Sequence, residues 1–207
     1  MKTDLTNIKN IIFDLGKVLV NLDFDATIKA FYDLAQNEEI IDSQHSYTDP
    51  VFYNLEVGKI VPEEFLKRIR ELLNNPNATD LQINDAWYAM FKGVPADRVK
   101  LLQKLGKKYN LYLFSNTNEL HIGKFLPDFK AQHKTDFTSL FIKTFYSHEI
   151  HERKPDVSAY LKVIELSGVK PEETLFIDDL ENNIEGAKQA GLKTFWLKEG
   201  MELAELF

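Results

Sequence analysis

The chain has 207 residues, no cysteine and a formal net charge of −7, with 44% hydrophobic and 12% aromatic residues. Without cysteine there are no disulfides, no Cys-bound zinc and no thiol chemistry, and with no dense Lys/Arg cluster a nucleic-acid surface is disfavoured. No apolar stretch approaches a bilayer span and Met1-Lys2-Thr3-Asp4-Leu5-Thr6-Asn7 lacks the apolar run of a signal peptide, so the expectation is a soluble, cytoplasmic protein without nucleic-acid or membrane partners.

The first element is the apolar run Ile11-Ile12-Phe13, closed by Asp14 and followed by Leu15 and Gly16. An unbroken run of β-branched and aromatic residues predicts a strand covered on both faces. Asp14 then stands where the strand opens into a loop, the place where ligands collect in open α/β sheets. A carboxylate there can serve as nucleophile, base or metal ligand; Asp and Gly also suit a plain turn.

From Asn21 to Val94 the pattern is helical and strand-poor. Ala26, Ile28, Phe31 and Leu34 share one helical face. Pro62-Glu63-Glu64-Phe65-Leu66 opens a second helix, with Pro suited to the first turn. Asn84-Asp85-Ala86-Trp87 and Met90 mark a third. Glu56-Val57-Gly58-Lys59-Ile60 reads as a turn between helices that could face a cleft. Trp87, Tyr88 and Phe91 read as the core of this helical unit rather than as a platform for a sugar ring.

Further strands are predicted at Leu111–Ser115, Phe145–Ser147, Leu175–Asp178 and Thr194–Leu197. Helical faces alternate with them: Val99, Leu101, Leu102 and Leu105; then Tyr160, Leu161, Val163, Ile164 and Leu166, ended by Gly168; then Ile184, Ala187 and Ala190, ended by Gly191. This alternation predicts an α/β fold, a doubly wound parallel sheet. The expected organisation is a core of residues 1–20 and 95–207 with an inserted helical cap at 21–94. His45, His121, His133, His148 and His151 have no metal-ligand spacing, and His148 and His151 read as surface residues rather than substrate-adjacent ones. Nothing in the chain announces an oligomeric state.

Four strand ends supply polar groups: Asp14 with Gly16; Ser115-Asn116-Thr117-Asn118; Arg153-Lys154-Pro155-Asp156; and Asp178-Asp179 followed by Asn182-Asn183. Each alone has a bland reading, as a helix cap, a turn or a solvated helix start. The adjacent Asp178 and Asp179 say more, because two carboxylates at the end of an apolar strand repel unless a cation or hydrogen bonds offset them. Together the four fit phosphoryl transfer. A carboxylate nucleophile splits one displacement into two, oxygen ligands suit Mg²⁺, and lysine and serine can hold phosphoryl oxygens.

The motifs Phe13-Asp14-Leu15-Gly16, Ser115-Asn116-Thr117-Asn118 and Asp178-Asp179-Leu180-Glu181-Asn182-Asn183-Ile184-Glu185-Gly186-Ala187 carry a resemblance. The chain is similar to the haloacid dehalogenase superfamily of phosphatases, and within it to the bacterial sugar-1-phosphate phosphatases. The resemblance implies a Rossmann-like core with a helical cap and a Mg²⁺-dependent phosphomonoester hydrolase acting on a small phosphorylated metabolite, such as a sugar phosphate. It implies Asp14 as nucleophile, forming an aspartyl-phosphate. It implies Mg²⁺ on Asp14, the Gly16 backbone carbonyl and Asp179, with Asp178 in support. It implies Ser115, Asn116 and Lys154 at the phosphate.

Gly16 departs from that pattern, which has a second Asp two residues after the nucleophile as general acid/base. Losing such a group typically costs on the order of 10²–10⁴-fold in rate. Three readings stay open: substrates whose leaving groups need little protonation; a substitute such as Asp23, Lys17 or a cap residue; or a slow phosphatase or non-catalytic phosphate-binding regulator. A metal-independent 2-haloacid dehalogenase is a further alternative. That group has Tyr at the Gly16 position and lacks the adjacent acidic pair.

Overall fold

The computed structural model describes residues 5–36 and 49–207. The start of the chain (Met1–Asp4), His45 and residues 37–48 of the expected cap lie outside the described residues. Five parallel strands, β1 (Asn10–Phe13), β2 (Asn110–Ser115), β3 (Lys143–Tyr146), β4 (Thr174–Asp178) and β5 (Lys193–Trp196), form one sheet in the order β3-β2-β1-β4-β5. All five overlap the runs read from the sequence, though β3 starts two residues earlier than expected and Ser147 opens a short helix instead of ending the strand.

The unbroken apolar pattern has a direct cause. Successive side chains of a strand point to opposite faces, and here both faces are covered. Ile11, Phe13, Leu111, Leu113, Leu175 and Ile177 enter one core, packed under helices α5 (Ala96–Leu105) and α6 (Glu119–His133). Ile12, Tyr112, Phe114 and Phe176 enter the other, against α8 (Val157–Ser167) and α9 (Glu181–Gln189). Each fully buried Ile or Phe contributes about 1.5–3 kcal/mol, so a polar residue on either face of these strands would be costly.

Two helix faces differ from expectation. On α8 the buried residues are Ala159, Tyr160 and Val163, whereas Leu161 and Leu166 are exposed. Leu161 sits off the i, i+3, i+4 row that meets the sheet, and Leu166 lies in the last turn of the helix. On α1 (Phe24–Leu34) the fully buried position is Thr27. Its hydroxyl donates to Trp87 O (3.2 Å) and accepts from Met90 N (2.8 Å), so a polar residue joins two helices.

Between β1 and α5 run α1, α2 (Pro50–Glu56), α3 (Pro62–Leu72) and α4 (Asp80–Tyr88). Phe31, Phe52, Phe65, Ile69, Ile83 and Trp87 give them an apolar core of their own. The two chain crossings into this unit pair antiparallel, with Lys92 N donating to Asn21 O (2.9 Å) and Asp23 N to Met90 O (2.8 Å). The helices α2 and α6 and the short α7 (Ser147–Ile150) were not foreseen from the sequence. Asp49 caps α2 by accepting from Val51 N (2.9 Å), and Pro50 opens it. No helix among the described residues is long and apolar enough to cross a membrane.

Candidate active site

Strand order reverses at β1: β2 and β3 lie on one side of it, β4 and β5 on the other. Crevices at such switch points, beyond the carboxyl ends of the strands, are where open α/β sheets bind ligands. The register pairs Phe13 with Ile177, so the next residues, Asp14 and Asp178, emerge side by side. Asp14 N donates to Ile177 O (2.9 Å), which keeps the two strand ends together.

Lys154 sits between them. Its ammonium donates to Asp14 Oδ1 (2.6 Å) and to Asp178 Oδ2 (2.7 Å), and its side chain is 1% exposed. It lies between the rings of Phe114 and Phe176, 5.4 Å from each centroid. Burial opposes its charge, but Asp14 and Asp178 outweigh that and hold the Lys154 pKa above the usual lysine value. The solvated helix-start reading of this lysine is overturned; its partners are 140 and 24 residues away in the chain.

Two contacts fix the lysine's backbone. Asn116 Nδ2 donates to Lys154 O (2.8 Å), and Lys154 N donates to Asn116 Oδ1 (2.9 Å). Gly186, inside α9, lets that helix lie against Pro155, because a Cβ there would overlap Pro155 O. This close approach outweighs the usual helix cost of glycine, about 1 kcal/mol.

Asp178 is fully buried and saturated. Its Oδ1 accepts from Leu180 N (2.9 Å) and Asn183 Nδ2 (3.0 Å), and its Oδ2 accepts from Lys154 and from Asn183 Nδ2 (3.1 Å). Asn183 was given no role in the sequence reading. The signal for it was an amide in the first turn of a helix, five residues after a buried carboxylate. Tyr160 completes this layer by donating its hydroxyl to Asn183 O (2.7 Å).

Carboxylate oxygens of Asp14, Asp178 and Asp179 lie within 4.8 Å of one another. An all-oxygen donor set of this kind fits a hard divalent cation. Gly16 is beside it; its carbonyl accepts from Val18 N (2.6 Å), and a carbonyl oxygen has a second lone pair. Burial pushes the Asp14 carboxyl up to about 7, with Lys154 pulling it down and Asp178 adding to the rise. Burial and Asp178 raise Asp179 too, against the pull of Lys17. Asp14 and Asp179 thus resist ionisation, and further positive charge at the cluster would favour their carboxylate forms.

A cavity of about 470 Å³ opens over these groups. Asp14, Gly16, Ser115, Asn116, Lys154 and Asp179 all line it, whereas Asp178 does not. The helical unit supplies apolar walls, Phe24, Ile28, Trp87, Met90 and Phe91 among them, and one carboxylate, Glu56. Trp87 and Phe91 thus pack in the helical unit's core and also face the cavity. His121 forms part of the wall as a neutral ring. Its Nε2 donates to Trp87 O (3.2 Å), its Nδ1 accepts from the Asn118 amide (3.2 Å), and burial lowers its pKa to about 3. Asn118 also caps α6, accepting from His121 N (3.0 Å). His148 is half-buried, tied to Thr117 O (3.3 Å), whereas His151 is exposed as expected and bonded to Val57 O (3.1 Å).

Of the suggested acid/base substitutes, Asp23 caps α1 through Ala26 N (3.2 Å), faces Lys92 at 3.5 Å and does not line the cavity. Lys17 does line it, with its ammonium 5.4 Å from the Phe24 ring centroid.

The model of the haloacid dehalogenase-like hydrolase family matches residues 8–191. A D-ribitol-5-phosphate phosphatase from Bacteroides thetaiotaomicron is 32% identical over 200 residues, covering 94% of each chain. A haloacid dehalogenase family enzyme of that organism, solved with magnesium and inorganic phosphate, superposes with a TM-score of 0.89 at 35% identity, covering 97% of this chain and 99% of its own. A HAD-like family hydrolase from Porphyromonas gingivalis superposes at 0.84 with 30% identity over 95% of this chain and 94% of its own. Such agreement over nearly the whole length, on a sheet whose acids and lysine meet at its switch point, means that the chain belongs to the haloacid dehalogenase-like hydrolases.

Proposed function

We propose that this protein is a Mg²⁺-dependent phosphomonoester hydrolase for small sugar or polyol phosphates, working through an aspartyl-phosphate on Asp14. The convergence of Asp14, Asp178, Asp179 and Lys154 under one cavity carries this reading. The names of the relatives support it: one acts on D-ribitol 5-phosphate, and one was solved with magnesium and phosphate. A volume of about 470 Å³ lies in the range of small-molecule sites. In this reading residues 21–94 are a cap over a core of 1–20 and 95–207.

Asp14 attacks phosphorus, and Lys154 holds that carboxylate in place while its charge faces the phosphoryl oxygens. Ser115 and Asn116 contact the phosphate at the end of β2, where Asn116 also fixes the backbone of Lys154. Asp14, the Gly16 carbonyl and Asp179 would hold the Mg²⁺, and Asp178 orients Lys154 behind them. Bound there, the ion supplies stabilisation of charge on the phosphoryl oxygens. The apolar walls exclude water from the reacting group.

The test is hydrolysis of a panel of sugar and polyol phosphates, with Mg²⁺ and with a chelator, by the wild type and Asp14→Asn. Turnover that needs Mg²⁺ and falls on the order of 10³-fold or more in the variant is expected. Equal turnover by the two proteins removes the nucleophile assignment, and wild-type inactivity on every ester favours a phosphate-binding regulator.

A further inference from the structure

Gly16 has no side chain to protonate a leaving group, yet an alkyl or sugar alkoxide is a poor one. Among the described residues, three carboxyl groups line the cavity: Asp14, Asp179 and Glu56. Asp14 and Asp179 are committed to the nucleophile and ion cluster. Asp178 is sealed beneath them, Asp23 is engaged in capping α1, and both ring nitrogens of His121 are bonded to the protein. Glu56 is the carboxyl group left over.

Its setting suits proton transfer. Glu56 is the last residue of α2, at the negative end of that helix, which disfavours the ionised form. Arg153, next to Lys154, pairs with its Oε2 at 2.9 Å, and Oε1 carries no hydrogen bond among the described residues. Burial raises its carboxyl above the usual value, with Arg153 pulling the other way. The position is also fixed. Val57 O accepts from His151 Nδ1 (3.1 Å), and Gly58 (φ +63°) lets the turn lie on His148 and His151, where a Cβ would overlap His148 O. Glu56 is therefore tied through Arg153 to the same stretch of chain that carries Lys154, and both line the cavity.

We propose that Glu56 does the acid/base work for which Gly16 has no side chain. The proposal rests on the phosphatase reading above. As Asp14 Oδ bonds to phosphorus and the bond from phosphorus to the leaving oxygen breaks, the Glu56 carboxylic acid gives its proton to that oxygen, which departs as an alcohol. The Glu56 carboxylate then takes a proton from water, whose oxygen attacks the acyl-phosphate phosphorus. The bond from phosphorus to Asp14 breaks, inorganic phosphate is released, and both carboxyl groups return to their starting state.

The experiment compares the full-length wild type with Glu56→Gln and Glu56→Asp, with Mg²⁺, on ribitol 5-phosphate and 4-nitrophenyl phosphate under rapid mixing. Glu56→Gln should lower kcat on the alkyl ester by about 10²–10⁴-fold. On the aryl ester, whose leaving group needs no acid, it should release a burst of about one nitrophenolate per chain and then turn over slowly, because the water step lacks its base. Glu56→Asp should regain part of the alkyl rate. Equal losses on both esters without a burst, or a rise in KM alone, overturn the proposal and make Glu56 a binding or structural residue. If Glu56→Gln fails to fold by circular dichroism, Glu56→Asp decides on the same readouts. A wild type inert toward both esters and toward the whole panel above sinks the phosphatase reading itself, whereas an active wild type matched by Glu56→Gln sinks only the role of Glu56.

Discussion

Lys154 and Asp14 are 140 residues apart in sequence, yet their charged atoms meet at 2.6 Å beneath the cavity. The same ammonium reaches Asp178 at 2.7 Å. One buried cation therefore balances two buried anions, and it does so from a loop that is itself clasped by Asn116. Removing one partner of such a cluster is far more costly than the pair is worth, because the remaining charge is left in low dielectric.

Lys154→Met should accordingly destabilise the protein by about 3–5 kcal/mol. Mg²⁺ should recover part of that loss by returning positive charge to Asp14. Urea unfolding with chelator and with Mg²⁺ measures both effects. A variant that unfolds at the wild-type midpoint in chelator shows that the lysine does not balance the acids.

Asp179 is the half-exposed member of the acidic trio and lines the cavity directly. Asp179→Ala should raise the Mg²⁺ concentration for half-maximal rate by at least about 10-fold while leaving the fold intact. A Mg²⁺ titration of phosphatase activity checks this, and an unchanged curve takes Asp179 out of the ion site.

His121 makes the wall acid-sensitive. Its folded pKa of about 3 lies below the ordinary histidine value of 6.5, so the unfolded chain binds the extra proton between those two values. The stability from the neutral ring is complete above pH 6.5 and is lost as pH falls toward 3. Between pH 6.5 and 5 this amounts to about 2 kcal/mol. Denaturation midpoints across that range should fall in the wild type and fall less in His121→Gln. Parallel slopes in the two proteins would assign the acid sensitivity elsewhere.

Gly58 has φ +63°, and a side chain there would collide with His148 O. Gly58→Ala should cost more than about 1 kcal/mol and shift the end of α2. Steady-state kinetics with a thermal melt checks it. Wild-type KM, kcat and melting together would show that the turn adapts freely.

Much of this site was legible because its parts follow local rules. Ile11-Ile12-Phe13 could only be a doubly covered strand, and Asp14 then had to lie at its mouth. The adjacent Asp178 and Asp179 signalled a missing counter-charge in the same way. What stayed hidden depends on contacts across the fold. Lys154 looks like an ordinary loop residue until Phe114 and Phe176 enclose it. Asn183 acquires a role only because β4 ends beneath it. Glu56 was read within a turn because α2 is a single short helix of seven residues, too brief for a periodic pattern to stand out. Thr27 escaped notice because a hydroxyl that bonds two backbone groups has no apolar signature.

Among the described residues, the polar bonds between the segment ending at Gly58 and the stretch before Lys154 are few: His151 to Val57 O and Glu56 to Arg153. The anchorage of Lys154 behind it is denser, with Asn116, Asp14 and Asp178 all engaged. An outward swing of the helices would therefore part the weaker joint first and spare the stronger one. The doorway can come unfastened for traffic in small molecules while the machinery behind it stays bolted down.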